Sequence, residues 1–227
     1  MNRLALDTSS LACTVAVRTG DRLFERHEEK PREHTRLLMP MIREVLEEAE
    51  VKLADLDGIV LGNGPGSFIG MRIAASVAQG LAFASGLSIT PVSSLAAIAA
   101  QVLDQSDAVQ VAVAQDAHMN EVYLGLFSRA GNNFPQPISE ERLQATSVIE
   151  ELSVADTGFT AAGQGWQRYP ELLAANRVWI AEESDVLFPR AAYLLALSEF
   201  SSAVDPVAIQ PAYLRQKVAE TARGGKS

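Results

Sequence analysis

Cysteine occurs once in this chain, at Cys13, so no internal disulfide can form and no cysteine cluster can hold a metal. Histidine is nearly as scarce. His27, His34 and His118 are scattered, with no pair one helical turn apart that would face a single ion. Long apolar runs are missing too: the longest uninterrupted one, Ala191 to Leu197, is far short of the roughly 18 residues needed to span a membrane. The opening Leu4-Ala5-Leu6 stops at Asp7, so no signal peptide is expected, and the expected compartment is the cytoplasm, with no membrane partner. Basic charge is in deficit, 19 Lys and Arg against 28 Asp and Glu, for a net charge of −9. An acidic surface argues against this chain alone gripping nucleic acid, because phosphate contacts supply most of that affinity. Only the C-terminus departs from this, with Arg215, Lys217, Arg223 and Lys226 against a single Glu220, and a solubilising tail is the simpler reading.

What remains is an ordinary globular composition, 48% apolar and 21% charged over 227 residues, long enough for a sizeable core. Its centre of gravity is Gly62-Asn63-Gly64-Pro65-Gly66-Ser67 followed by the nearly uncharged run Phe68 to Ala84. The pattern reads as strand, glycine loop and helix, with Ser67 as N-cap. Backbone N–H groups at such a helix start form an anion site by default. The phosphate motifs nevertheless fail, since Gly66-Ser67 lacks the Walker lysine and Gly66 is followed by Ser67, Phe68 and Ile69, which breaks G-x-G-x-x-G. Along the helix, Gly70, Ala74, Ala78 and Ala82 form a bare ridge beside the bulky Ile69, Ile73, Val77 and Leu81. Two packings fit: an internal core helix, or a helix-on-helix contact with another subunit.

The first hundred residues read β-β-β-α-β-α-β-α. Arg3 to Asp7, Cys13 to Arg18 and Leu23 to Glu29 suggest an antiparallel meander. The Glu33 to Glu50 helix carries Leu37, Leu38, Met41 and Ile42, with Pro40 expected to kink it or mark its first turn. A boundary is expected at Asp104–Asp107, dividing the chain into residues 1–104 and 105–227. After it a buried strand again ends in an aspartate, Asp116, turns, and returns as a strand from Glu121. Ser147 to Leu152 and Trp166 to Ala175 read as helices, and Pro189 as N1 of a helix ending near Ala203. Two units that begin alike imply a duplicated α/β fold of the actin and Hsp70 superfamily, in which Asp7-Thr8-Ser9 and Asp116 would border a residual nucleotide cleft.

Together Asp7-Thr8-Ser9, Pro31 to Thr35, Gly64 to Phe68, Arg72-Ile73, Gln79 to Ala82, Asp116-Ala117, Glu121 to Tyr123 and Tyr213 to Arg215 resemble the bacterial TsaB (YeaZ) family, in register along the whole chain. The resemblance implies a non-catalytic partner of the paralogue TsaD in threonylcarbamoyladenosine modification of tRNA next to the anticodon. It implies a heterodimer with TsaD, the ATPase TsaE in the same assembly, a homodimer when alone, and tRNA only through the complex. The family's interface is made by the two N-terminal helices, here His34, Leu37, Leu38, Met41, Gly70, Ile73, Ala74, Val77, Ala78 and Leu81. No cofactor is expected on this chain alone; ATP or ADP and Mg²⁺ belong to the assembled complex. TsaD carries a His-x-x-x-His metal pair where this chain has Ser94 and Ile98, so no metal site and no catalytic residue is expected. His118 stands where the family has arginine, and Ile69 and Ala74 also depart from its pattern. The competing class is an enzyme with its own site, either an actin-like ATPase or kinase or a metallopeptidase, resting on the two aspartates and the glycine loop.

Overall fold

The computed structural model describes residues 1–149 and 158–214. The basic residues Arg215 to Lys226 lie outside that range. The first sheet contains β1 (Asn2–Asp7), β2 (Cys13–Thr19), β3 (Arg22–Glu28), β4 (Gly58–Gly62) and β5 (Ile89–Val92), in the order β3-β2-β1-β4-β5. β1, β2 and β3 are the expected antiparallel meander, while β4 and β5 run parallel to β1. The second sheet contains β6 (Gln110–Asp116), β7 (Glu121–Arg129), β8 (Pro135–Pro137), β9 (Arg142–Ala145), β10 (Phe159–Ala162) and β11 (Ile180–Glu183). Its path is β8-β7-β6-β10-β11, with β9 also paired to β7. Each sheet thus places a hairpin beside two parallel strands. The expected duplication is present.

The helices are α1 (His34–Ala49), α2 (Phe68–Ser85), α3 (Ser94–Gln105), α4 (Gln164–Arg168), α5 (Pro170–Ala175) and α6 (Ala191–Leu197). β1 is buried on both faces along Leu4-Ala5-Leu6, and alternate residues serve different layers. Leu4 and Leu6 meet α1 and α2 through Leu38, Val45, Ala74 and Ala78. Ala5, with Ala16 and Val60, meets α6 through Ala191, Leu194 and Leu195. α3 lies between the sheets, packing Leu95, Ile98 and Val102 against Val111, Val113 and Phe127. The outer face of the second sheet is closed by Trp166 and Leu172, with the Trp166 indole N–H donating to the Ala112 carbonyl at 2.9 Å. Because α6 and Ile209 return to the first sheet, packing crosses the sequence boundary read near 104.

Several expectations need correction. Of the two readings of Pro40, the first-turn one falls away, since Pro40 lies inside α1. The stretch Trp166 to Ala175 is divided between α4 and α5, because Pro170 cannot continue a helix and restarts one at N1. Pro189 precedes the Arg190 cap instead of occupying N1, and α6 gives way to a 3₁₀ turn at Ser198–Phe200. Residues 147–149 are not helical, and the remainder of that expected helix lies outside the described residues. The short strands β8, β9 and β11 were not anticipated.

The main correction concerns the bare ridge. Ala74, Ala78 and Ala82 are fully buried within this single chain, and Gly70 with them. They face the chain's own sheet, so their smallness lets α2 approach the strands. α2 is long and apolar enough by length and composition to cross a membrane, yet this side of it is covered by protein. The interruptions at Arg72, Ser76 and Gln79 hide it from a search for unbroken runs. Ala78→Arg is expected to destabilise the isolated chain by about 3 kcal/mol or more, because an unpaired charge would enter the core. Ser76→Arg, two positions away on the exposed side, should leave it folded. Urea unfolding of both variants tests this, and equal stabilities would place the ridge outside the core.

Candidate functional site

The glycine loop is closed from within. Asp7 ends β1 fully buried, its Oδ1 accepting from the Ser9 amide at 2.5 Å and its Oδ2 from the Ser94 hydroxyl at 2.5 Å. Ser94 Oγ in turn accepts from the Gly64 amide at 3.1 Å. The Ser67 amide donates to the Ser9 carbonyl at 2.6 Å, and the Gly70 amide to Ser67 Oγ at 3.3 Å. Thr8 Oγ1 donates to the Gly70 carbonyl at 2.7 Å. A Cβ built on Gly62 would collide with the Asp7 carboxylate, on Gly66 with Ser9, and on Gly70 with the Thr8 carbonyl. Close approach of the β1 turn therefore dictates these glycines. Several N–H groups that would cradle a phosphate are already used, and Ser9 and Thr8 fill the space. Burial pushes the Asp7 carboxyl above its ordinary range, against the hydrogen bonds from Ser94 and Ser9, which lower it. Asp7, Thr8 and Ser9 thus do not fit a nucleotide phosphate or its metal.

His34, the first residue of α1, joins this network from the side. It is buried, and its Nε2 donates to the Ser10 carbonyl at 3.0 Å. Burial lowers its pKa below 6.5, outweighing the Ser10 bond and the Asp7 charge. The neutral ring with its proton on Nε2 is the form the site selects. Leu38 and Met41 are buried within the chain as well, so these three residues offer no surface. Asp116 belongs to a different arrangement. Its Oδ1 accepts from the Tyr169 hydroxyl and the His118 amide, both at 2.8 Å, within a turn where His118, Met119 and Asn120 all have positive φ. Ser94 and Ile98 are buried too, the serine serving Asp7 and the isoleucine the core. Among the described residues no three of His, Cys, Asp and Glu converge on a point that would suit a metal.

What does reach the surface is the opposite side of α2. Ile69 and Phe83 are 70% and 60% exposed, Ile73, Val77 and Leu81 are half-buried, and so is Leu37 of α1, which packs against the same core cluster. Between the large residues runs a second small ridge, Ser76, Gly80 and Ala84, all exposed. Among the described residues nothing requires glycine at position 80: its φ is not in the left-handed region, and a Cβ there would meet no described atom within 4 Å. Glycine inside a helix costs about 0.5–1 kcal/mol relative to alanine. The second ridge was visible in the i, i+4 spacing of Arg72, Ser76, Gly80 and Ala84, but spacing alone does not say which ridge faces the sheet.

One acid was missed by sequence reasoning. Half-buried Glu141, before β9, accepts a hydrogen bond from Ser93, whose Oγ also caps α3 by accepting from the Ala96 amide at 3.0 Å. Desolvation pushes Glu141 from 4.5 up to about 7, against the Ser93 bond, which lowers it. The folded state then binds more protons than the unfolded state between these values, so Glu141 makes stability fall as pH rises from 4.5 to about 7. Glu141→Gln keeps an acceptor for Ser93 and removes the titration. Thermal melts of both proteins should show the variant gaining on the wild type across that window and no further above it. A difference that stays constant with pH would mean the carboxyl is solvated.

Comparison with known proteins follows the same line. A family model described as TsaD, tRNA N6-adenosine threonylcarbamoyltransferase, matches residues 27–222. The tRNA threonylcarbamoyladenosine biosynthesis protein TsaB of Haemophilus influenzae is 35% identical, over 95% of this chain and 94% of its own length. That of Escherichia coli is 32% identical over the full length of both chains. The solved structure of YeaZ from Pseudomonas aeruginosa superposes with a TM-score of 0.82 at 35% identity, covering 94% of this chain and 99% of that one. From full-length relatives at 32–35% identity and this shared architecture, the chain belongs to the TsaB (YeaZ) family and carries its actin-like fold.

Proposed function

We propose that this chain is a non-catalytic subunit in the biosynthesis of threonylcarbamoyladenosine in tRNA, where it binds and supports the catalytic TsaD paralogue that modifies the adenosine beside the anticodon. The observation that carries the reading is the outward face of α2: apolar residues around an exposed glycine that the isolated chain does not need. An exposed helix interior keeps a glycine at a cost in stability, and close approach of a second helix backbone would account for it. Family membership names the pathway, and the match to a TsaD family model supports a TsaD-type partner. The interface on this reading comprises the half-buried Leu37, Ile73, Val77 and Leu81 together with Ile69, Ser76, Gly80 and Phe83. His34, Leu38, Met41, Gly70, Ala74 and Ala78 act beneath it, by holding the helices in place.

The closed glycine loop supports the absence of an independent activity, because the groups that would hold a phosphate are engaged with Ser9, Thr8 and Ser94. Nucleotide and TsaE would then be the concern of the assembled complex, and tRNA would be reached only through it. A second copy would use the same α2 face when the paralogue is absent. The two halves, residues 1–104 and 105–227, act on this reading as subdomains of one rigid support in the cytoplasm.

Gly80→Ala separates interface from fold. It should stabilise the isolated chain by about 0.5–1 kcal/mol while weakening the complex with the paralogue, since a methyl would hold the backbones apart. Thermal melting and titration calorimetry read the two effects; a complex as tight as wild type would remove the argument for a close helix contact. In a second experiment the purified chain, given threonylcarbamoyl-adenylate and tRNA, should form no modified nucleoside until the paralogue is added. Product formed by the chain alone would overturn the non-catalytic reading.

A further inference from the structure

We infer that Arg72 is the polar anchor of the α2 face, a guanidinium held ready for a carboxylate on the partner's apolar surface. The inference rests on the docking role proposed for α2 and adds the chemistry of what docks there. Arg72 is the one charged residue among the 18 of α2. Its guanidinium carbon lies 3.8 Å from the centroid of the Phe68 ring, and its Nε donates to the Tyr213 hydroxyl at 3.0 Å. The Tyr213 ring is 5.4 Å from Phe68, centroid to centroid, so the two aromatics bracket the arginine.

Some arginines answer to carboxylates, Arg26 to Glu44 and Glu48, Arg190 to Glu25 and Arg18 to Glu199, whereas Arg3, Arg22 and Arg129 bond to hydroxyl, carbonyl or amide oxygens. Arg72 has no carboxylate within 4.0 Å among the described residues, although its side chain is already fixed at one edge. Stacking on Phe68 and the bond to Tyr213 use one face and Nε, leaving the terminal nitrogens, which form the fork that suits a carboxylate. Much of the ordering entropy of a long side chain is therefore spent before binding.

Position completes the argument. Arg72 stands one turn from Ile69 and beside Ile73 on the outward face of α2. A partner that covers those residues also removes water from the guanidinium, and an unpaired desolvated charge would oppose the contact. Charge complementarity then requires the partner to bring an acid to this end of the helix. α2 itself has none, so two copies cannot satisfy each other by α2 against α2 alone. The occupant is then the TsaD paralogue of the proposed function, with an Asp or Glu on the helix surface that packs over Ile69 and Ile73.

The test uses the full chain and the paralogue. Titration calorimetry at several salt concentrations should show Arg72→Gln weakening the complex by roughly tenfold or more and flattening its salt dependence. Arg72→Lys, which keeps charge but loses the stack and the Nε bond, should fall between the two. Both variants should melt with the wild type, because the residue is exposed. Wild-type affinity and salt dependence in Arg72→Gln would overturn the anchor while leaving the α2 interface standing. Loss confined to self-association, or to tRNA binding by the assembled complex, would overturn the paralogue as occupant. Failure of the wild-type chain to bind the paralogue at all would overturn the docking role and the anchor with it.

Discussion

The turn after β1 and the start of α2 lie so close that only hydrogen fits at the Cα positions between them. Gly66 faces Ser9 and Gly70 faces the Thr8 carbonyl, while Thr8 Oγ1 and the Ser67 amide tie the two segments across the gap. This contact sets the height of α2 above the sheet. Once α2 is that low, the residues beneath it must be small, which is why Ala74, Ala78 and Ala82 carry the buried ridge and Leu4, Leu6, Ile59 and Leu61 supply the bulk from below. The same contact removes the loop from anion binding. A turn that elsewhere would wrap a phosphate here wraps another turn of its own chain.

Asp7 shows how tightly the two outcomes are coupled. A carboxylate at the end of a buried strand costs free energy unless its oxygens are satisfied. Ser9 and Ser94 satisfy them, and Ser94 simultaneously receives the Gly64 amide, so one side chain joins β1, the glycine loop and the start of α3. His34 adds α1 through Ser10. Four elements are thus fixed at one end of the sheet by side chains. Their present partners give them a structural role.

Much of this was legible in the sequence, and the limits have physical causes. The meander, the strand–glycine–helix unit and the repeated aspartate turn follow from periodicity and turn chemistry, because β1, β4 and β6 are apolar on both faces and cannot be mistaken for half-exposed strands. β8, β9 and β11 escaped because strands of three or four residues, some with proline, carry too little alternation to register. α4 and α5 were merged although Pro170 marks the break, because a proline inside a helical pattern ends one helix and can open the next at N1. The candidate site was half legible. Sequence identified α2 and its ridge of small residues, but spacing repeats equally along every i, i+4 row. Which row faces the sheet depends on Thr8 and Ser9, more than fifty residues away.

That ambiguity also explains why α2 needs two small ridges. The inner one answers to the sheet, and every member of it is accounted for by atoms of this chain. The outer one, Ser76, Gly80 and Ala84, is not: among the described residues no neighbour excludes a methyl at Gly80. A helix bounded on one side by β1 and β4 has no mechanical need for smallness on the other, and helix propensity argues for alanine at that position. Large apolar residues at Ile69 and Phe83 flank the outer ridge without cover, and a single rigid cation marks its first turn. Each departure from what an isolated soluble helix would favour falls on the same face. On the proposed reading they share one cause, a second helix surface that approaches closely along the small ridge and meets charge with charge at its end.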